Sequence, residues 1–362
     1  MSGYECKPDR AQPSSRTKIL VTGGAGFIGS SFVRYVLRTQ PDVEVINFDL
    51  LTYAGNLRNL EDVPSGAPYQ FIRGDIADIE DVRAIFENNS IDAVFNFAAE
   101  THVDRSIDNA APFVRTNVDG TRCLLDYARR FNVSKFIQIS TDEVYGSLGP
   151  DGAFREDSPI DPSSPYSASK AAADFFVFAY CKTYGLPALI TRCSNNYGPC
   201  QVPEKLIPLL ITNAMEDRAL PIYGDGLNVR EWIFADEHSR AVWTAFERGR
   251  PGEVYNVGSG HEMTNLDVVR EILRLLGKPE SLVQFVKDRP GHDRRYAMDC
   301  SKIRREWNWS ADVDFSAGLA ATIEWYKQHQ DWVRDIKDAS YLSYYDRMYT
   351  RRDQTLSWSR PD

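Results

Sequence analysis

The segment KILVTGGAGFIGS, residues 18–30, decides the fold. Its first five residues form a β-branched run that predicts a strand, and the apolar residues after its glycines recur at helical spacing. Between strand and helix it satisfies the pattern Gly24-x-Gly26-x-x-Gly29 and also a variant that begins at Gly23. Glycines here allow a tight turn and a close backbone approach to a pyrophosphate, which the helix N-terminus then faces. The segment therefore predicts the first βαβ unit of a dinucleotide-binding domain.

Further strands and helices alternate along the first half of the chain, which is typical of parallel βαβ units. The predicted strands are VEVINFD (43–49), YQFIRGD (69–75), IDAVFNFAA (91–99), KFIQIST (135–141) and PALITR (187–192). Helical patterns cover 78–86, 113–131 and 166–184. The sequence thus predicts an α/β fold, a Rossmann-type doubly wound parallel sheet.

Beyond residue 195 the pattern loosens, and helices are predicted near 205–216, 236–248, 264–276 and 314–330. We interpret this part as a smaller C-terminal α/β substrate-binding domain. The predicted organisation is a disordered extension (1–16), an NAD-binding Rossmann domain (17–194), a mainly substrate-binding domain (195–350) from which some segments could return to the first, and a tail (351–362).

Composition excludes several classes of function. The 362 residues include 42 basic and 51 acidic side chains, a net charge of −9, which argues against a nucleic-acid partner. No apolar run approaches the roughly 20 residues that span a membrane. The five histidines show no metal-ligand spacing, so no metal is expected. The six cysteines are scattered and without a Cys-x-x-Cys pair, which predicts reduced thiols in a cytoplasmic protein.

Acidic and small residues at the predicted strand ends define the cofactor. Asp49 ends the second strand, 20 residues after Gly29, where a carboxylate accepts the adenosine ribose hydroxyls and repels a 2′-phosphate. This position favours NAD over NADP. Asp75-Ile76 ends the third strand, where an adenine would lie, and Ala98-Ala99 ends the fourth, where small side chains let the cofactor pass close to the backbone.

A group of hydroxyl, carboxyl and amine side chains predicts the chemistry. Tyr166 and Lys170 are four residues apart and share one face of a helix, where the ammonium favours the phenolate. Thr141 ends the fifth strand and is followed by Asp142 and Glu143. Paired carboxyls can hold different pKa values, one acting as an acid and one as a base. A phenolate can take the proton of a sugar hydroxyl while hydride leaves the same carbon for the cofactor. An acid and a base beside the resulting ketone are suited to the elimination of water.

At these residues the sequence resembles the dTDP-glucose 4,6-dehydratases, members of the extended short-chain dehydrogenase/reductase family. The resemblance covers about residues 17–350. It rests on TGGAGFIGS, DLLTYAGNL (49–57), FAAETHVDRS (97–106), STDEVYG (140–146), YSASK (166–170), NNYGP (195–199), PEKLIP (203–208), LPIYGDG (220–226), NVREW (228–232) and DRPGHDRRY (288–296).

The resemblance implies oxidation at C4 of dTDP-glucose, loss of water across C5 and C6 and return of hydride to C6, which gives dTDP-4-keto-6-deoxyglucose with NAD regenerated. Tyr166 would be the base for C4 oxidation, helped by Thr141 and Lys170, while Glu143 would deprotonate C5 and Asp142 protonate the C6 hydroxyl. The implied cofactor contacts, besides the glycines, are Phe27, Ile28, Asp49, Leu51, Thr52, Asp75, Ile76, Ala98, Ala99, Thr116, Tyr166, Lys170 and Asn196. The implied substrate contacts are His102, Thr141, Asn195, Lys205, Leu206, Pro221, Tyr223, Arg230, Asn265, Arg289 and His292.

Alternatives stay open at this point. A nucleotide-sugar 4-epimerase or decarboxylase of the same family would keep Tyr166 and Lys170 but has no use for Asp142 and Glu143. A non-catalytic NAD sensor would need only the glycine loop. The base of the substrate, thymidine or uridine, and the downstream pathway are not encoded in the motifs. A homodimer that pairs the helices near 113–131 and 165–184 is expected by analogy with the family.

Overall fold

Twelve strands, most of them parallel to their neighbours, organise the structure, a computed structural model that describes residues 16–288, 291–337 and 339–346. In chain order they are β1 (Thr17–Thr22), β2 (Val43–Asp49), β3 (Tyr69–Arg73), β4 (Ala93–Asn96), β5 (Lys135–Thr141), β6 (Ala188–Cys193), β7 (Asn195–Tyr197), β8 (Leu220–Tyr223), β9 (Val229–Phe234), β10 (Val254–Val257), β11 (Glu262–Thr264) and β12 (Val283–Val286).

The helices alternate with these strands through most of the chain. They are α1 (Phe27–Thr39), α2 (Ile79–Asn88), α3 (Val103–Asp108), α4 (Ala111–Phe113), α5 (Thr121–Arg130), α6 (Pro165–Tyr184), α7 (Leu206–Met215), α8 (Ala235–Arg248), α9 (Asn265–Leu276), α10 (Ser301–Trp307), α11 (Phe315–Gln328), α12 (Gln330–Ile336) and α13 (Ala339–Tyr345). A π-helical stretch, Val114–Gly120, joins α4 to α5, so this run is helical from 111 to 130.

Seven parallel strands form the central sheet in the order β10-β6-β5-β4-β1-β2-β3, which confirms the predicted Rossmann-type α/β fold. From β1 the chain proceeds to β2 and β3 on one side and then crosses to β4 on the other. The order therefore reverses between β1 and β4. Ligands of such sheets bind in the crevice outside the carboxyl ends of the strands at this reversal.

Both faces of the sheet are covered by helices, as a parallel sheet requires. Alternate residues of β1 belong to different cores: Ile19 packs with Phe32 of α1 and Trp243 of α8, while Leu20 packs with residues of α2, α5 and α6. The apolar face predicted after the glycine motif is thus the face that α1 buries.

The remaining strands form a second, smaller part of the molecule. β7 and β9 are parallel, β11 is antiparallel to β9, and β8 pairs with β12. Together with α7, α9 and α11 they enclose a core of their own around Trp232 and Tyr326.

The chain beyond 194 also returns to the first sheet, since β10 pairs with β6 and α8 packs on α1. The domain boundaries stay predictions, and the extension before residue 16 and the tail from 351 lie outside the described residues. Of the helices that the structure describes, none is both long and apolar enough to cross a membrane.

Candidate active site

A cavity of about 750 Å³ lies at the carboxyl ends of β1 to β6, at the reversal of the strand order. Most of the residues predicted for cofactor and catalysis line it together. They are Gly23, Gly26, Phe27, Ile28, Gly29, Asp49, Thr52, Asp75, Ile76, Ala98, Ala99, Thr116, Thr141, Asp142, Glu143, Tyr166, Lys170, Asn195, Asn196 and Lys205.

The glycine turn brings backbone to the floor of this cavity. Gly23 has a φ of +68°, and a Cβ at this position would lie 2.7 Å from the Cα of Ala98. Gly26 is the N-cap of α1 and contributes no side-chain cap, so the first N–H groups of the helix lack an intrahelical partner. These donors and the positive end of the helix dipole suit a pyrophosphate.

Asp49 is held in place by the backbone around it. One carboxylate oxygen accepts from the Leu51 N–H at 2.8 Å and the other from the Ala25 N–H at 2.9 Å. Burial raises the pKa of Asp49, and these two hydrogen bonds oppose the rise. Each oxygen keeps acceptor capacity for a ribose hydroxyl.

Leu51 differs from its predicted role as a cofactor contact. Its backbone adopts a left-handed φ of 58°, and its N–H is used to fix Asp49. The neighbouring residues Leu50 and Thr52 line the cavity, whereas Leu51 does not. Leu51 thus contributes to the site through the hydrogen bond of its N–H to Asp49.

The adenine end includes a residue that the sequence did not reveal. Arg115 lines the cavity, and its Nη2 lies 2.6 Å from the Oδ2 of Asp75. It is part of the π-helical stretch that also carries Thr116, and such stretches are frequent at functional sites. A π-helix has no distinct sequence signature here, so this ion pair could not be predicted.

The catalytic helix α6 begins with a complete capping box. Ser164 is the N-cap, and its hydroxyl accepts from the N–H of Ser167. The Ser167 hydroxyl in turn accepts from the N–H of Ser164. Pro165 occupies the first helical position. Tyr166 follows in the first turn and Lys170 one turn later, so the cap fixes where both side chains enter the cavity.

The turn after β5 places the paired carboxyls beside Tyr166. Thr141 caps the short 3₁₀ turn Asp142–Tyr145 and accepts from the N–H of Glu143 at 3.2 Å. The Thr141 hydroxyl also hydrogen-bonds to Asp142 at 3.2 Å and to the Tyr166 phenol. One threonine thus contacts the Asp142 carboxyl, the Glu143 backbone N–H and the Tyr166 phenol.

Electrostatics distinguish these groups. Burial raises the pKa of Asp142 well above its ordinary value, and the charges of Glu143 and Glu231 add to the rise. This environment favours the protonated form of Asp142 more than water does. Burial likewise raises the pKa of the Tyr166 phenol, with Glu143 adding to the effect and the Thr141 hydrogen bond opposing it.

Lys170 contacts the strand rather than the phenol. Its Nζ donates to the carbonyl of Ile139 at 2.7 Å. Burial lowers the pKa of Lys170, and the nearby carboxylate of Asp174, one helical turn further on, opposes the shift. The expected lowering of the Tyr166 pKa by Lys170 stays a prediction.

A second, smaller cavity of about 160 Å³ adjoins the first, and both are lined by Glu143, Asn195 and Lys205. The other predicted substrate residues that the structure describes line it. They are His102, Leu206, Pro221, Tyr223, Arg230, Asn265 and His292. Arg289 lies outside the described residues.

Buried charges that the sequence reasoning missed surround this second cavity. Glu204 lines it and lies 3.1 Å from Arg105. Burial alone would raise the pKa of Glu204, but His102, Lys205 and Arg105 bring it below its usual value. Burial lowers the pKa of His102, and the charge of Glu204 opposes the shift. Glu204 lies inside the motif PEKLIP, but the motif alone does not indicate the contacts of its carboxylate.

Several buried polar atoms of the site have no hydrogen-bond partner among the described residues. They include Oδ2 of Asp142 and Oδ1 of Asn195 and Asn265. Such atoms are costly unless a ligand pairs with them. Their positions along the two cavities fit a polar substrate, and the uncapped start of α1 with Asp49 fits a dinucleotide. No cluster of metal-ligating side chains occurs in the part of the chain that the structure describes.

Comparison with known proteins agrees with this geometry. The family model described as GDP-mannose 4,6 dehydratase matches residues 20–322. A probable dTDP-glucose 4,6-dehydratase of Sinorhizobium fredii is 51% identical over 340 residues, covering 90% of this chain and 97% of that protein.

Solved structures extend the comparison. The dTDP-glucose 4,6-dehydratase of Streptomyces venezuelae, crystallised with NAD, is 48% identical with a TM-score of 0.85, covering 88% of this chain and 100% of that one. A UDP-glucose 4-epimerase of Thermotoga maritima is 29% identical with a TM-score of 0.81, covering 87% and 100%. The fold is thus shared with epimerases, whereas the sequence is much closer to the dehydratases. The chain belongs to the dTDP-glucose 4,6-dehydratase family.

Proposed function

We propose that this chain is an NAD-dependent hydro-lyase that converts dTDP-glucose to dTDP-4-keto-6-deoxyglucose. The observation that carries the proposal is the buried Asp142 carboxyl next to Glu143, on the same turn as Thr141 and beside Tyr166, where burial raises the pKa of Asp142. Oxidation alone or epimerisation needs no such acid. The family relationship supports the same conclusion.

NAD would be held mainly by backbone and strand ends. The start of α1 would bind the pyrophosphate, Asp49 the adenosine ribose, and Asp75 with Ile76 the adenine edge. When bound, NAD supplies an acceptor for the hydrogen at C4, and its positive nicotinamide ring favours the phenolate of Tyr166. That charge is needed because the protein alone raises the pKa of this phenol.

The first proton transfer takes place at Tyr166. Its phenolate would take the proton of the C4 hydroxyl, and Thr141 would hydrogen-bond to the same oxygen. The resulting ketone makes the hydrogen on C5 acidic.

The elimination is then divided between the two carboxyls. Glu143, which lines both cavities, would remove the C5 proton. Asp142 would deliver its proton to the C6 hydroxyl, which leaves as water. C6 would then regain the hydride removed from C4, and Glu143 would return a proton to C5, which gives the 4-keto-6-deoxy sugar. Two carboxyls in one turn can take these opposite roles because burial and the charge of Glu143 keep the proton on Asp142.

The substrate diphosphate would lie in the second cavity near Arg230. A guanidinium can bind phosphate oxygens through two parallel hydrogen bonds. Tyr223 and Pro221 line the same cavity and offer an apolar wall for the base.

The test is incubation of the purified protein with dTDP-glucose, UDP-glucose or CDP-glucose, followed by mass spectrometry. We expect the product of dTDP-glucose to have lost one water, with slower reaction of the other two. A product of unchanged mass would indicate an epimerase, and loss of carbon dioxide from the corresponding sugar acid would indicate a decarboxylase.

We further propose a homodimer formed by the helical run 111–130 and α6. Apolar side chains of these helices are exposed in the single chain, among them Val114, Phe175 and Tyr184, each more than half exposed. Burying them against a second copy would be favourable. Light scattering tests this proposal, and a monomer mass at micromolar concentration would contradict it.

We also propose a cytoplasmic location. The five cysteines that the structure describes are free thiols, four of them buried. This usage is typical of reducing compartments. Fractionation of the source cells with an antibody against the chain tests the location.

A further inference from the structure

Residues 291–298, which we call the strap, connect the two halves of the site. The N–H of Val229, at the start of β9, donates to the carbonyl of Arg294 at 2.9 Å. The N–H of Leu148, just after the catalytic turn, donates to the carbonyl of Arg295 at 3.0 Å. The strap therefore contacts both the strand that carries Arg230 and the loop that follows Glu143.

Asp293 is the junction of this strap. The Ser163 hydroxyl donates to its Oδ2 at 2.5 Å, and the Tyr296 hydroxyl donates to the same oxygen. The backbone carbonyl of Asp293 accepts from Nη2 of Arg230 at 2.9 Å and from the side-chain amide of Asn228 at 3.1 Å. Asp293 thus joins the strap to the segment that contains Ser163 through its side chain, and to the segment that contains Asn228 and Arg230 through its carbonyl.

One of those segments is the start of the catalytic helix. Ser163 directly precedes the N-cap Ser164, and Tyr166 lies in the first turn after it. Because the cap fixes the start of α6, a hydrogen bond to Ser163 restrains the position from which Tyr166 enters the cavity.

Another segment carries the guanidinium expected to bind the diphosphate. Arg230 donates to the carbonyls of Val229 at 2.8 Å and of Asp293, and its guanidinium carbon lies 4.4 Å from the centre of the Tyr296 ring. Carbonyls and a ring fix the orientation of the guanidinium without adding a formal negative charge. The same Tyr296 that supports Arg230 donates to the carboxylate of Asp293.

We propose that Asp293 is a positioning residue that couples the orientation of Arg230 to the position of the Tyr166 helix. The proposal rests on the proposed function, since it takes a nucleoside diphosphate as the ligand of Arg230. Asp293 itself would touch neither sugar nor cofactor. Removal of its side chain would release the strap, and its carbonyl would then no longer hold the guanidinium.

The experiment compares binding of dTDP and of thymidine, which lacks the diphosphate, by calorimetry on NAD-loaded protein. For Asp293→Ala we expect dTDP to bind roughly tenfold more weakly, as for the loss of one hydrogen bond to a charged group, while thymidine binding changes by less than about twofold. The KM for dTDP-glucose should rise as the affinity for dTDP falls. The rate of NAD reduction in a single turnover should also fall, because Tyr166 is less well placed.

Two further variants separate positioning from stability. Ser163→Ala removes only the link to α6, so it should slow NAD reduction and leave dTDP binding unchanged. Asp299→Ala is the matched control, because Asp299 follows the strap and accepts from the Ser301 N–H without contacting Arg230. It should lower the thermal midpoint without changing the ratio of dTDP to thymidine affinity.

The outcomes distinguish this proposal from the proposed function. If wild-type protein binds dTDP and dehydrates dTDP-glucose but Asp293→Ala keeps the wild-type affinity ratio, the positioning role is wrong. The same holds if Asp299→Ala changes that ratio equally. If Asp293→Ala does not fold, Tyr296→Phe, which keeps the ring but loses the hydroxyl, should lower the dTDP affinity alone, and an unchanged affinity would overturn the proposal. Failure of the wild-type chain to bind dTDP would instead contradict the proposed function.

Discussion

The cofactor end of this site consists mainly of backbone groups, whereas the substrate end consists mainly of side chains. At the cofactor end, backbone N–H groups of the glycine turn and of α1 face the cavity, and Asp49 is oriented by two backbone donors. At the substrate end, charged and polar side chains from distant segments meet, as Glu204 does with Arg105 and Asp293 with the Ser163 hydroxyl. A short motif can specify the first arrangement, whereas the second exists only once the chain has folded.

Glu143 lines both cavities, so its replacement tests how the two ends are connected and should have the largest effect. Glu143→Gln should lower turnover by about 10³, within the range expected for loss of a general base. Because C4 oxidation precedes the blocked step, reduced nicotinamide should accumulate and be visible by its absorbance.

The matched control is Glu324→Gln on α11, where the carboxylate accepts from Gln328 at the surface. It should turn over as wild type does. Normal turnover of Glu143→Gln would remove Glu143 from its role as the base.

Replacing Tyr166 should separate oxidation from elimination. Tyr166→Phe should lower turnover by about 10² to 10³, and no reduced nicotinamide should accumulate, because the proton of the C4 hydroxyl has no acceptor. Rapid-mixing absorbance measures the difference from Glu143→Gln. Tyr180→Phe on the same helix, which loses a hydrogen bond to Asp126, serves as the control and should keep its activity. Accumulation in Tyr166→Phe would assign the oxidation to another base.

At the cofactor end, a change of charge should alter specificity more than rate. Asp49→Asn keeps an acceptor for one of the two backbone donors and loses the charge that repels a 2′-phosphate. We expect the preference for NAD over NADP to fall by about tenfold, measured by titration of both cofactors into the stripped enzyme. Asp42→Asn, in the turn before the same strand, should leave the preference unchanged. An equal loss of affinity for both cofactors would show that Asp49 acts through the turn alone.

The smallest effect concerns stability. Since burial raises the pKa of Asp142 in the folded state, the folded protein binds this proton more tightly than the unfolded chain does. The carboxyl therefore destabilises the fold increasingly as pH rises above about 4, the unfolded value, toward its raised folded value. Asp142→Asn removes this cost.

We expect Asp142→Asn to raise the thermal midpoint at pH 7 by roughly 1 to 3 °C and to have little effect below pH 4, while the elimination is lost. Calorimetry at both pH values measures this. A lower midpoint at pH 7 would show that Asp142 is stabilised as the carboxylate.

The sequence predicted the elements of the first half closely, because strand, turn and helix signals coincide there. β1 to β6 lie where the apolar runs predicted them, and the glycine turn has the required geometry. The sequence did not predict that Val254–Val257 would join the central sheet as a seventh strand. A four-residue run after a loosely patterned region does not indicate which sheet it will pair with.

The same division applies to the site. Asp49 and the Thr141-Asp142-Glu143 turn could be predicted, because each belongs to a strand end whose position follows from topology. The partners Arg115 and Asp293 could not, since one depends on a π-helical stretch and the other on a strap that crosses between the two halves. Leu51 shows a further limit, because its left-handed backbone conformation has no signal in the sequence.

The most direct test of the central claim uses dTDP-glucose that carries deuterium at C4. The account predicts a product that has lost one water and retains the deuterium in its C6 methyl group, as seen by mass spectrometry and NMR. A product of unchanged mass, or a dehydrated product without the label, would contradict it.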